Sequence, residues 1–233
     1  MPGLNHPGLN LLRTKLVAAG FTQWPGDVFT RSLADGVSAW LGLRWTWFDE
    51  YPGVVQVDTI VGVRHDGVQI IAAKALDQVF QACVPATVVD RLDDLMDSGP
   101  EDTVWTLLGE PADEGHTAEL LAKIQQYGEP YFDRFADLDA VIAELRRRWA
   151  MNLASEEGRG HRLSIDQHCD ATTWLSALAS GERWDELSRA IEQIRAAANE
   201  PVLAIADVFE AMIPTTWPLA RGLPPDQTHP DPQ

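Results

Sequence analysis

Basic residues are scarce in this chain. Eighteen Lys and Arg stand against 35 Asp and Glu in 233 residues, a formal net charge of −17. A field of that sign repels nucleic-acid and membrane phosphates, which argues against DNA, RNA or membrane-surface binding. Cysteine is scarcer still: Cys83 and Cys169 are the two in the sequence. Two cysteines do not make a disulfide framework, and without a Cys-x-x-Cys pair the usual structural zinc site lacks ligands. A reducing, cytoplasmic setting is the simplest expectation. No stretch approaches the roughly 18 consecutive apolar residues of a membrane span. The longest candidate, Val68 to Leu76, is short and carries Lys74. Met1 to Asn10 has neither the basic start nor the apolar middle of a signal peptide. Also missing are a Gly-rich phosphate loop ending in Lys-Ser/Thr, a His-Glu-x-x-His pair and a Gly-x-Ser-x-Gly elbow. These absences remove the direct routes to an enzyme without excluding one. No catalytic residue, metal site or cofactor is assigned.

What is present suffices for a core: 45% of residues are apolar and nine are Trp. Leu9, Leu12, Leu16 and Ala19 share one face of a helix expected over Gly8 to Ala19, stopped by Gly20. A short strand is expected over Val28 to Arg31, with Asp35-Gly36 as a turn. Two alternating runs follow, Val37 to Phe48 and Val54 to His65, separated by Asp49-Glu50-Tyr51-Pro52-Gly53. Leu41, Leu43, Trp45 and Trp47 take one face of the first; Val55, Val57, Thr59, Val61 and Val63 take one face of the second. A symmetric loop closure places Trp45 across from Val57 and Arg44 across from Asp58, so both apolar faces coincide. An antiparallel hairpin is predicted, with a cross-strand Arg44–Asp58 ion pair on its polar face.

Beyond Asp66-Gly67 the spacing of Val68, Ile71, Ala72 and Ala75 predicts a helix, and Val88, Leu92 and Leu95 predict another. Asp102 to Leu108 is expected as a strand and Gly109 to Gly115 as a loop. A helix over Thr117 to Tyr127 is closed by Gly128 and Pro130, and one capped by Asp137 runs to about Ala150. Residues 152–165 are polar with two glycines and are expected as a linker. Three helices then span Asp166 to Ser180, Trp184 to Ala198 and Pro201 to Ile213, and Pro214 onward forms a Pro-rich tail. The fold class is α+β: an α+β domain over 1–151 with a small antiparallel sheet flanked by helices, then a helical extension over 166–213.

The acidic excess is uneven. Residues 90–144 hold 3 basic and 15 acidic residues, net −12, against −1 for 1–89 and −4 for 145–233. That stretch is either a solvated face that keeps the chain in solution or a field that steers a cationic partner. Arg146-Arg147-Arg148 near a predicted helix C-terminus reads as a match to the helix dipole, or as a docking patch. His161, His168 and Cys169 lie near the expected linker, but their spacing does not make a ligand set, and Cys169 reads as a small apolar residue. The best candidate surface is the polar hairpin face. Trp40, Arg44, Phe48, Gln56, Asp58 and Arg64 combine aromatic rings with fixed charges, as interfaces and pockets do.

Leu16-x-x-x-Gly20-Phe21 followed by Phe29-x-Arg31, then Gly62-Val63-Arg64-His65, then Tyr127-Gly128-x-Pro130-Tyr131-Phe132 make up a pattern over about residues 8–150. It resembles a loose family of bacterial proteins, some encoded beside polymorphic toxins and assigned as immunity proteins. The resemblance implies a small antiparallel sheet flanked by helices and, by association, a binding role. The expectation is therefore a non-enzymatic cytoplasmic protein-binding module, possessing a protein partner of basic character. The alternative is a small-molecule enzyme or ligand sensor, with Asp58, His65, Arg44 or Arg64 lining a pocket between sheet and helices.

Overall fold

The two alternating runs of 37–65 set the architecture, and everything else is laid against them. In the computed structural model, the described residues are 6–48, 50–51, 53–78, 86–96, 105–109, 113–156, 165–197 and 200–214. For 152–156, 165–169, 197 and 200–202 only the backbone is described. The Pro-rich tail from residue 215, Cys83 and His161 lie outside them.

Six strands form one antiparallel sheet: β1 (Thr22–Trp24), β2 (Val28–Ala34), β3 (Val37–Trp47), β4 (Val55–His65), β5 (Val88–Arg91) and β6 (Trp105–Leu107). The order is β1-β2-β3-β4-β5, and β6 also pairs with β4. β5 and β6 divide one edge of β4 between them, β5 along residues 60–63 and β6 along 55–57. The predicted hairpin register holds at every rung: Arg44 faces Asp58 and Trp45 faces Val57. Alternation fixes it, because a slip of one residue would turn every apolar side chain outward.

The inner face carries Phe29, Leu41, Val55, Val57, Val61 and Val63, all fully buried, with Trp45 and Trp47 partly buried at the rim. Thr59 sits among them, its hydroxyl buried without a hydrogen-bond partner. Helices build the other layer: α1 (Pro7–Ala18), α2 (Asp66–Ala75), α3 (Asp113–Lys123), α4 (Glu129–Phe135), α5 (Leu138–Glu156), α6 (Ile165–Ser180), α7 (Trp184–Ala197) and α8 (Glu200–Met212). Leu9, Leu12 and Leu16 from α1 join Phe132, Phe135, Val141 and Leu145 in one apolar cluster with the sheet. Proline suits the first turn of α1, where its missing N–H would have no partner anyway. His6 caps that helix. Its Nδ1 accepts the Leu9 N–H at 3.4 Å, and its Nε2 lies 2.8 Å from the Gly53 carbonyl oxygen. A carbonyl only accepts, so Nε2 carries the proton, and one neutral ring ties the start of α1 to the β3–β4 loop.

Several expectations are corrected. Val88 to Leu95 is strand β5 followed by a 3₁₀ turn over Asp93–Leu95, not a helix. Gly62 permits this: a Cβ there would lie 2.8 Å from the Val88 carbonyl oxygen and from Val89 Cγ1, so only glycine lets the new strand come so close. Gly128 and Pro130 do not end the preceding helix. A π turn over Ile124–Gly128 carries α3 into α4, with Pro130 in the first turn of α4, where it costs no hydrogen bond. α3 begins at Asp113, inside the expected loop, and α5 runs to Glu156, inside the expected linker. The C-terminal helices share the core of the sheet. α6 packs on α2 and α5, Trp149 and Trp174 meet at 6.4 Å between ring centroids, and Leu178, Ile194 and Phe209 belong to the common buried cluster. Among the described residues no helix is long and apolar enough to cross a membrane.

Candidate functional site

Because alternation sends the apolar side chains inward, it sends a mixed set outward. The outer face of the sheet reads, rung by rung, Trp40 beside Gly62 and Val89, Gly42 beside Ile60 and Arg91, Arg44 beside Asp58, and Thr46 beside Gln56 and Thr106. Phe48 follows at the end of β3. Arg44 and Thr46 are exposed, Phe48, Gln56, Asp58 and Ile60 are half-buried, and Val89 is 38% exposed. The face is open around Arg44 and closed at its other end.

Two predicted members lie at the closed end. Arg64 is 1% exposed, its Nε donating to Asp66 Oδ1 at 2.8 Å, so it is a structural cation rather than a surface one. Trp40 is 9% exposed. Its ring lies flat along the strand over Gly42, where a Cβ would meet Trp40 Cη2 at 2.6 Å. Glycine at 42 therefore lets an indole cover the middle of the face. The structure thus brings Arg44, Phe48, Gln56 and Asp58 together on the surface, with Trp40 as their floor, and withdraws Arg64.

The electrostatics differ from expectation in one respect. Asp58 faces Arg44, but its ion pair is with Arg91 at 3.5 Å, and Arg91 also holds Asp93 at 2.9 Å. Among the described residues Arg44 makes no ion pair. That is notable in an acid-rich chain, since most other arginines are matched. The acidic stretch supplies many of the matches: Asp90 meets Arg148 at 2.7 Å, Glu114 meets Lys15 at 2.6 Å, Glu129 meets Arg31 at 2.6 Å and Asp139 meets Arg183 at 2.6 Å. Much of the local −12 is therefore spent tying helices to strands and to one another. The chain's net charge is unchanged by this, and it still sets the long-range field.

Sequence reasoning missed two polar clusters. In the first, Asp27 is held at φ 57° and accepts Arg13 Nε on Oδ1 and Arg13 Nη2 on Oδ2, both at 2.7 Å, with Trp45 Nε1 on Oδ2 at 3.0 Å. Burial pushes the Asp27 pKa up, but the bonds from Arg13 and Trp45 and the Arg13 charge outweigh it and leave it below 3.8. The second is built on α5. Glu144, buried, takes Arg147 at 2.5 Å and Arg148 at 2.9 Å, and Arg148 reaches on to Asp90 and the Val89 carbonyl oxygen. Arg147 first, then Arg148, hold the Glu144 carboxyl down at about 2, against the cost of burial. The Tyr131 hydroxyl beside them makes no hydrogen bond of standard geometry, and burial raises its pKa. The basic run 146–148 is thus a set of ion-pair partners in mid-helix, not a cap on a helix C-terminus. A Glu four residues before an Arg was the signal that would have found it.

The alternative site does not converge. His65 belongs to the inner side, its ring Nε2 donating to the Phe135 carbonyl oxygen at 2.8 Å, whereas Arg44 and Asp58 face outward. Two clefts are described, both among the C-terminal helices: one of about 300 Å³ between α7 and α8, lined by Ser188, Glu192, Arg195 and Glu210, and one of about 150 Å³ lined by Arg146, Trp174 and Arg189. Among the described residues no three His, Cys, Asp or Glu side chains gather to hold a metal ion. Compared with known proteins, the chain matches no family, no curated protein and no solved structure.

Proposed function

We propose that this chain is a protein-binding module without catalytic function, and that its contact surface is the open outer face of the sheet around Arg44. The observation that supports the reading is a guanidinium with no ion pair among the described residues, set between Phe48, Asp58, Gln56 and Ile60 on a rigid strand pair. Arginine beside an aromatic ring is the composition of interface hot spots. A strand scaffold holds the contact in place at little entropic cost. The net charge of −17 favours a basic partner, steered from a distance, with Arg44 fixing register by pairing one carboxylate on it. An immunity-type neutraliser of a cationic protein in the cytoplasm is the specific form this reading takes.

Affinity capture from the native host supplies the candidate partner, and binding is then measured against ionic strength. The reading expects affinity to fall as salt rises. It also expects Arg44→Glu and Phe48→Ala each to weaken binding at least tenfold, while Lys74→Glu on exposed α2 changes it little. Unchanged affinity in both outer-face variants overturns the proposed surface.

A further inference from the structure

We propose that the cleft between α5, α6 and α7 is a binding site for a small carboxylate. Its lining is contributed by three helices: Arg146 from α5, Trp174 from α6, and Glu186, Arg189, Ala190 and Gln193 from α7, around a volume of about 150 Å³. Trp174 is 2% exposed, and its indole Nε1–H is buried with no acceptor. An indole nitrogen only donates, so this group requires an acceptor and has none in the protein. Leaving such a donor unpaired costs about 1–3 kcal/mol in the absence of a ligand, which makes it an unusual thing for a fold to keep.

The charges around it have a matching sign. Arg146 and Arg183 are both committed to Glu186, and these bonds lower the Glu186 pKa despite its desolvation. That trio leaves no carboxylate for Arg189. Its Nε donates to the Asp185 main-chain oxygen at 3.3 Å, and it makes no ion pair among the described residues. Arg189 and Ala190 are on α7 beside Gln193, whose amide offers two further donors. A donor-only indole, an unpaired guanidinium and an amide around a space of this size fit one carboxylate and a few carbons. A phosphate monoester of a nucleotide is too large. The site shares no residue with the outer sheet face and stands apart from the reading of that face.

The test uses the full chain, uniformly labelled with ¹⁵N, titrated with sodium acetate and sodium succinate at ionic strength held constant with sodium chloride. The Trp174 indole N–H resonance is identified by its loss in Trp174→Phe or, should that variant not fold, by its through-space contacts to Trp149. The proposal expects a saturable shift of this resonance at millimolar carboxylate. It expects Arg189→Gln, at an exposed position, to weaken binding roughly 10–100-fold, as loss of a charge-assisted bond does. A parallel titration with a blocked Glu-containing peptide distinguishes a free acid from a side chain of another protein. A shift that is the same with chloride alone, that never saturates, or that survives Arg189→Gln unchanged overturns the site.

Discussion

Replacing Asp27 with Ala removes a carboxylate from a nearly closed environment: the Asp27 side chain is 9% exposed and that of Arg13 12%. The substitution leaves Arg13 without either of its 2.7 Å bonds and leaves the Trp45 N–H without an acceptor. Breaking a buried pair by removing one partner costs about 3–5 kcal/mol. The slight exposure of both partners places this case near the lower end, at about 3 kcal/mol. For a chain of this length that corresponds to a fall in Tm of about 6–12 °C. The pH dependence follows from the lowered pKa of Asp27. A carboxyl whose folded pKa lies below its unfolded value contributes stability that is complete above 3.8 and is lost as pH falls through the folded pKa. The gap between wild type and Asp27→Ala is therefore full at pH 7 and narrows below pH 3.8. Urea denaturation at both pH values measures it. The double variant Arg13→Met with Asp27→Ala should be less destabilised than Asp27→Ala alone, because the stranded charge is gone. A loss under about 1 kcal/mol at pH 7, or strictly additive effects in the double variant, would refute the reasoning.

Glu144→Gln removes a carboxyl held at about 2 against an ordinary 4.5, so the wild type should lose on the order of 2–3 kcal/mol between pH 4.5 and 2 that the variant never had; acid-titrated denaturation midpoints check this. Gly42→Ala should drive the Trp40 ring off the sheet, since 2.6 Å is no distance for a methyl group, and the expected readout is a red-shifted Trp emission with about 1–3 kcal/mol lost. Phe132→Ala, at 0% exposure, should cost about 3–5 kcal/mol, measured by chemical denaturation.

The hairpin was legible because two independent patterns agreed. Leu41–Leu43–Trp45–Trp47 and Val55–Val57–Thr59–Val61–Val63 alternate in phase, and only one register puts both sets on one side. β5 was not legible. Val88, Leu92 and Leu95 have helical spacing, while the strand itself is four residues whose pairing partner lies 25 or more residues upstream. The continuation of α3 into α4 was hidden by Gly128 and Pro130, which mark a stop in sequence but here sit at a π turn and a first helical turn. Of the candidate surface, residue identity and sidedness came through, since they depend on alternation alone. The burial of Arg64, and the loss of Asp58 from Arg44 to Arg91, depend on which segments return to that edge, and no local pattern carries that.

Hydrogen–deuterium exchange of the chain with and without its captured partner tests the contact surface most directly. New protection is predicted in residues 44–48 and 56–60, with α1 and the α7–α8 pair unaffected. Protection confined to the helices, with the β3–β4 backbone exchanging as in the free protein, would contradict it.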